Sequence, residues 1–185
     1  MSNFEMTLQK YKIIDDVMPK GMADRIESMI LKDSIVPFVF VGNVAKIHGE
    51  KNQFGFAHVI FSESGTSPFL ETALPILELA ADKCSIGIGE VIMIRSFLQT
   101  PPPSPSRNTS HTDTREPHWV CLYYVNDSEG DTILFNDDGS ELVSVTPKKN
   151  RAVLFDGRIS HCATEPTNRP RCVINFNFMP SYGKL

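Results

Sequence analysis

The chain has 185 residues and 41% hydrophobic content, which suits one domain with a sizeable core and excludes a disordered chain. A formal net charge of −4 argues against broad nucleic-acid or membrane-surface binding. No apolar run approaches the roughly 20 residues a bilayer-spanning helix needs, and the opening MSNFEMTLQKYK lacks the apolar core of a signal peptide.

Residues 8–14, LQKYKII, read as a short first strand. Pro19 then stands near a helix start, and Met22, Ile26, Met29 and Ile30 form one apolar helical stripe, expected to pack in the core. The β-branched and aromatic runs 35–47 and 54–61 read as strands; His48 and His58 within them are expected to be structural or exposed. Ser67 and Pro68 open a second helix, roughly 68–83, with Pro75 as a blemish that can kink it. From Gly87 a long strand follows, GIGEVIMIRSFLQT, in which Arg95 either points into a pocket to meet an anion or snorkels to the edge.

Residues 100–110, TPPPSPSRNTS, are too rich in Pro and Ser for regular structure. They are a surface loop or a lid over whatever His111 binds. Short strands then recur at 118–125, 131–136, 141–146, 151–155 and 171–178, separated by NDSEG, NDDGS and PKKN turns. That spacing suggests an all-β sandwich or barrel. Lys148, Lys149 and Arg151 form a local basic patch or a solvated turn. The four cysteines, Cys84, Cys121, Cys162 and Cys172, contain no CxxC; free thiols in a reducing, cytoplasmic setting are expected, the host's if the source is viral.

The chemistry concentrates between His111 and Arg171. In an extended segment His111 and Asp113 point the same way, with Thr112 opposite. His161 must be brought alongside by the sheet. Two histidines and one carboxylate suit a non-haem Fe(II) site that leaves one face of the ion open. Arg171 lies ten residues beyond His161 and suits a carboxylate co-substrate. From Arg171 one alternating set is Arg171, Val173, Asn175 and Asn177, and the other is Cys172, Ile174, Phe176 and Phe178. The second set should face the core or the helices; alternation alone lets the first face either water or a site. His118 and Trp119 are packing residues or substrate contacts.

Taken together, HTD, CLYYVN, GDTILF, PKKNRAVLFDGRISH and RPRCVINFNF resemble the Fe(II)/2-oxoglutarate-dependent dioxygenases of the prolyl 4-hydroxylase-like branch. The similarity spans roughly residues 88–179 and is strongest to the short versions in phages and marine microbes. It implies a mainly β fold with N-terminal helices, a double-stranded β-helix or jelly-roll. A single domain over 1–185 would have a support region at 1–86 and the core at 87–179. It implies His111, Asp113 and His161 as iron ligands, Arg171 as the grip on the distal carboxylate of 2-oxoglutarate, and Tyr124 as the hydroxyl that assists it, with Tyr123 facing away. Arg169, which precedes Pro170, is the rival anchor. Family members often have paired glycines where this chain has Gly130 and Asp131, and the Pro-rich loop is not shared by the animal enzymes.

The implied cofactors are Fe(II), 2-oxoglutarate and dioxygen, with ascorbate as an optional reductant. The implied activity is hydroxylation of a peptidyl C–H bond, proline foremost, with release of succinate and carbon dioxide. The alternatives are the same chemistry on a small molecule or nucleobase, a non-catalytic jelly-roll module, or a zinc hydrolase. The last would leave Arg171 and Tyr124 without a task. No membrane partner is expected, and the acidic charge disfavours nucleic acid.

Overall fold

The computed structural model describes residues 10–33, 35–42, 54–114 and 116–181. His48, residues 43–47 of one expected strand and residues 8–9 of another lie outside them. Two helices, α1 (Lys20–Leu31) and α2 (Leu70–Lys83), accompany strands β1 (Tyr11–Ile14), β2 (Val39–Val41), β3 (Gly55–Ser62), β4 (Gly65–Thr66) and β5 (Ile88–Gln99). The second half supplies β6 (Trp119–Tyr124), β7 (Thr132–Phe135), β8 (Glu141–Val145), β9 (Arg151–Asp156), β10 (His161–Ala163) and β11 (Arg171–Pro180).

The strands form an eight-stranded sheet, ordered β1-β9-β6-β11-β5-β3-β2 with β4 beside β3, and a three-stranded sheet, β10-β7-β8. Every pairing is antiparallel, as in β11 against β5 and β6. One apolar cluster joins the large sheet to the helices through Ile26, Ile30, Ile76, Leu77, Ile94, Tyr123, Ile174 and Phe176. A second fills the space between the sheets, where Leu122, Tyr124, Phe155 and Val173 meet Leu134 of β7 and Val145 of β8. This mostly β architecture with two helices is consistent with the jelly-roll of 2-oxoglutarate oxygenases.

The sequence expectations need adjustment in places. In α1 the buried face is Ala23, Ile26 and Ile30, while Met22 is exposed, because the 3.6-residue period carries the stripe through Ala23 instead. Helix α2 begins at Leu70 rather than residue 68. The Ser67 hydroxyl accepts the Phe69 backbone N–H and bonds His58 Nε2, so Ser67 shapes the turn before the helix. Pro75 sits inside α2, which continues to Lys83 regardless. The Lys148–Arg151 patch is neutralised: Lys149 pairs with Asp24 and Glu27 of α1, and Arg151 with Asp15. The four cysteines are buried free thiols.

Candidate functional site

The site sits where the end of the Pro-rich loop meets the small sheet. Residues 100–106 have no regular pairing, but Arg107 bridges Thr164 and His111 bridges His161. The loop has no helix or strand through 110, as expected, but it is tied down at its far end. His111 N–H donates to His161 O at 2.9 Å, and His161 N–H donates to His111 O at 2.9 Å. Residues paired in that way direct their side chains to the same face. The two rings accordingly lie 4.8 Å apart, centroid to centroid. In each ring Nδ1 lies 3.2 Å from the carbonyl two residues earlier, Thr109 or Ile159. Nδ1–H is the donor there, which leaves the Nε2 lone pair free toward the site. Burial pushes the His161 pKa down, against the pull of the nearby Asp113 carboxylate.

Asp113 completes the group. Its Oδ1 lies 3.8 Å from His111 Nε2 and 4.0 Å from His161 Nε2. The ligand atoms of His111, Asp113 and His161 all fall within 4.8 Å of one another. Its Oδ2 accepts the side-chain amide N–H groups of Asn175 at 2.7 Å and Asn177 at 2.8 Å. Burial by itself would raise this carboxyl, but His161, the two asparagines and Arg95 outweigh it and hold the pKa below its ordinary value. One oxygen is thus saturated while the other faces the Nε2 atoms of both imidazoles. That donor set fits a divalent iron with an open face.

The trio lines a cavity of about 260 Å³ whose wall also holds Arg171, Gln99, Arg95 and Asn108. Arg171 is buried, with 4% of its surface exposed. Its guanidinium donates from Nε to Gly130 O at 2.8 Å, from Nη2 to Thr132 Oγ1 at 2.8 Å and from Nη1 to Gln99 Oε1 at 3.4 Å. A guanidinium has five N–H donors, so two remain for a carboxylate. Burial lowers the Arg171 pKa, a sign that the cation has given up water. Gly130 makes this placement possible: a Cβ there would sit 2.7 Å from Thr164 O and 2.9 Å from Arg171 Cδ. Arg169 lies in the turn, mostly exposed, paired with Glu129 at 2.9 Å.

Tyr123 and Tyr124 face opposite sides of β6, in the helix-side cluster and the inter-sheet cluster respectively. The Tyr124 ring lies 5.9 Å beneath the Arg171 guanidinium, and its hydroxyl donates to Val145 O at 3.5 Å. Burial pushes its pKa up to about 12, so it stays a neutral donor. It stands behind Arg171 and is not among the residues that line the cavity.

Sequence reasoning left Arg95 undecided; the structure places it on the cavity wall, 4.0 Å from Asp113 Oδ1. It missed the bonding of both asparagines to Asp113, although the alternation of β11 put them on the Arg171 face. His118 is buried, with Nδ1 on Glu116 O at 2.8 Å and its ring against Gly157. Trp119 packs with the helix-side cluster. Neither lines the cavity.

Residues 103–179 match the family model described as the 2OG-Fe(II) oxygenase superfamily. This part of the chain is similar to 2OG-Fe(II) oxygenases. The matched span contains the trio and Arg171, and the cofactors of this chemistry are Fe(II) and 2-oxoglutarate, with dioxygen. Solved structures resemble the whole chain in fold. A 2OG-Fe(II) oxygenase family oxidoreductase from Burkholderia pseudomallei aligns with a TM-score of 0.71 at 10% identity, over 92% of this chain and 85% of the other. A Trichoplax adhaerens prolyl hydroxylase in complex with a hypoxia inducible factor peptide fragment aligns at 0.66 and 16%, over 93% and 84%. A Pseudomonas putida prolyl-4-hydroxylase aligns at 0.63 and 14%, over 93% and 94%. At these identities the likeness is one of fold. A search of curated proteins found no match. No described helix is long and apolar enough to cross a membrane.

Proposed function

We propose that His111, Asp113 and His161 hold the iron, and that Arg171 holds the distal carboxylate of 2-oxoglutarate, in an enzyme that hydroxylates a C–H bond of a peptidyl substrate, proline foremost. One observation carries the assignment: three ligand atoms within 4.8 Å of one another share a cavity with a buried arginine that has donors to spare. Bound iron, with 2-oxoglutarate and dioxygen, supplies the oxidising power that converts C–H to C–OH while succinate and carbon dioxide leave.

The protein's own residues set the stage. The Nδ1 bonds of His111 and His161 fix which nitrogen meets the metal. Asn175 and Asn177 hold Asp113 to one free oxygen. Thr132, Gln99 and Gly130 O orient the Arg171 fork, and Tyr124 supports it from below. The inter-sheet apolar cluster behind these groups excludes water and strengthens each charge interaction.

The peptidyl assignment draws its support from the prolyl hydroxylases that share the fold. Small-molecule oxidation is the second reading, favoured by a cavity of only about 260 Å³. Incubation with Fe(II), 2-oxoglutarate and libraries of prolyl peptides and metabolites tests both. Succinate release coupled to one added oxygen on a peptide is the expected result. No succinate from any mixture overturns the oxygenase chemistry, and oxygen found only on metabolites overturns the peptidyl substrate.

A further inference from the structure

Besides Arg171, the cavity wall carries a second cation, Arg95, which the proposed function leaves without a task. Arg95 lies on β5, cross-strand from Asn175, with its guanidinium 5.2 Å over the Phe97 ring. Its side chain is 18% exposed, and its Nε is buried without a hydrogen-bond partner. The nearest anion is Asp113 Oδ1 at 4.0 Å, the limit of an ion pair. That oxygen faces the two histidines, and Asp113 Oδ2 already serves two asparagines. Among the described residues lining the cavity Asp113 is the only acid.

We infer that Arg95 is the docking point for a carboxylate carried by the substrate that is oxidised, an inference that rests on the proposed oxygenase function. The argument is one of charge. The two charges of the metal and those of the two guanidiniums face only three negative charges, from Asp113 and the two carboxylates of 2-oxoglutarate. One positive charge is left over in a cavity with apolar walls such as Met93, Phe97, Leu122 and Val173. Once Asp113 Oδ1 serves the metal, Arg95 stands next to a cation with no counter-charge of its own. An unpaired charge there is costly unless an anion arrives with the substrate. Arg95 is suited to receive one. Its planar fork is held against Phe97, and a fork matches a carboxylate with two parallel hydrogen bonds. The substrate class is therefore a molecule with a carboxylate close to the oxidised carbon. Its source is either the α-carboxylate of a free amino acid or an acidic side chain beside the target residue in a peptide.

The test is calorimetric and needs no turnover. The full chain, loaded with Fe(II) and 2-oxoglutarate without oxygen, is titrated with two matched pairs. One is L-proline against L-prolinamide; the other is a capped prolyl-glutamate peptide against its prolyl-glutamine counterpart. The carboxylate member of one pair is expected to bind about tenfold or more tightly than its amide, a difference of roughly 1.4 kcal/mol per decade. Which pair shows it identifies the source. Arg95→Met should erase the preference and Arg95→Lys should keep part of it, with iron and 2-oxoglutarate affinities unchanged within about twofold. Absence of a preference in both pairs, including absence of binding, overturns the inference. So does a preference that survives in Arg95→Met while affinity for 2-oxoglutarate or iron falls, because Arg95 would then serve the co-substrate or Asp113. Failure of the unmutated protein to bind iron and 2-oxoglutarate at all overturns the functional reading itself, and this inference with it.

Discussion

The two faces of β11 are buried to the same degree and are built from opposite chemistry. Cys172, Ile174, Phe176 and Phe178 are 0–1% exposed and pack toward the helices. Arg171, Val173, Asn175 and Asn177 are 2–6% exposed and look into the gap between the sheets. Burying an apolar face contributes stability directly, at about 25 cal/mol per Å². Burying an arginine and two asparagines does not, because each polar group must recover the hydrogen bonds it loses with water. Here Arg171 recovers three and each Asn recovers one, to Asp113. Yet the Oδ1 atoms of both asparagines remain buried without partners. A strand tolerates that cost where the groups have a job. The lesson is that a polar face which is dry marks a site, whereas a polar face which is wet marks only a surface.

Substitutions on β11 and on the residues it serves can break that contrast. Asp113→Ala should have the largest effect: no iron retained in an anaerobic titration and no succinate formed, because the metal loses its one anionic ligand. Phe176→Ala, on the apolar face, should cost about 3–5 kcal/mol in urea unfolding. The surviving folded protein should keep its normal requirement for 2-oxoglutarate. Arg171→Ala should do the reverse. Its effect is read in the 2-oxoglutarate KM, expected to rise roughly 30-fold or more, from about 2–5 kcal/mol of lost pairing. If Phe176→Ala alters the KM as much as Arg171→Ala does, the two faces are not functionally distinct.

Smaller effects sharpen the same division. Asn177→Ala should weaken iron binding about 10- to 100-fold, as loss of an outer-shell partner does, with little change in KM for 2-oxoglutarate. A metal affinity that stays put would mean that the amide bonds to Asp113 are incidental. Arg169→Ala should be the quietest, within about 0.5 kcal/mol of the parent and with an unchanged KM, since its ion pair with Glu129 is exposed. A KM increase there rivalling that of Arg171→Ala would transfer the carboxylate grip to the turn.

Much of this was legible in the residues. The alternation of β11 separates its faces without coordinates, and HxD in extended chain puts His111 and Asp113 on one side. What alternation cannot say is whether a polar face is wet, since the pattern Arg-Val-Asn-Asn suits a surface strand equally well. That depends on the small sheet folding over it, and β10, only three residues long, has no periodic signature of its own. The pairing of residues 107–111 with 161–164 was equally hidden, because it is made by backbone groups at the end of a Pro-rich loop. Arg95 was ambiguous for a different reason. An arginine flanked by apolar residues snorkels or enters a pocket according to what stands opposite, and here that is Asp113, far along the chain. In the α1 stripe only Met22 was misplaced, since Ile26 and Ile30 are buried and Met29 packs against the core, while Ala23 has the better phase and is the smaller residue.

The most direct test of the central claim is an anaerobic titration of the purified chain with Fe(II), and then with 2-oxoglutarate, in the parent and in His161→Ala and Arg171→Ala. The parent should take up one iron and then one 2-oxoglutarate; His161→Ala should lose the iron, and Arg171→Ala should keep the iron while losing most of its hold on the diacid. Iron bound as tightly without His161, or 2-oxoglutarate bound as tightly without Arg171, would contradict the account.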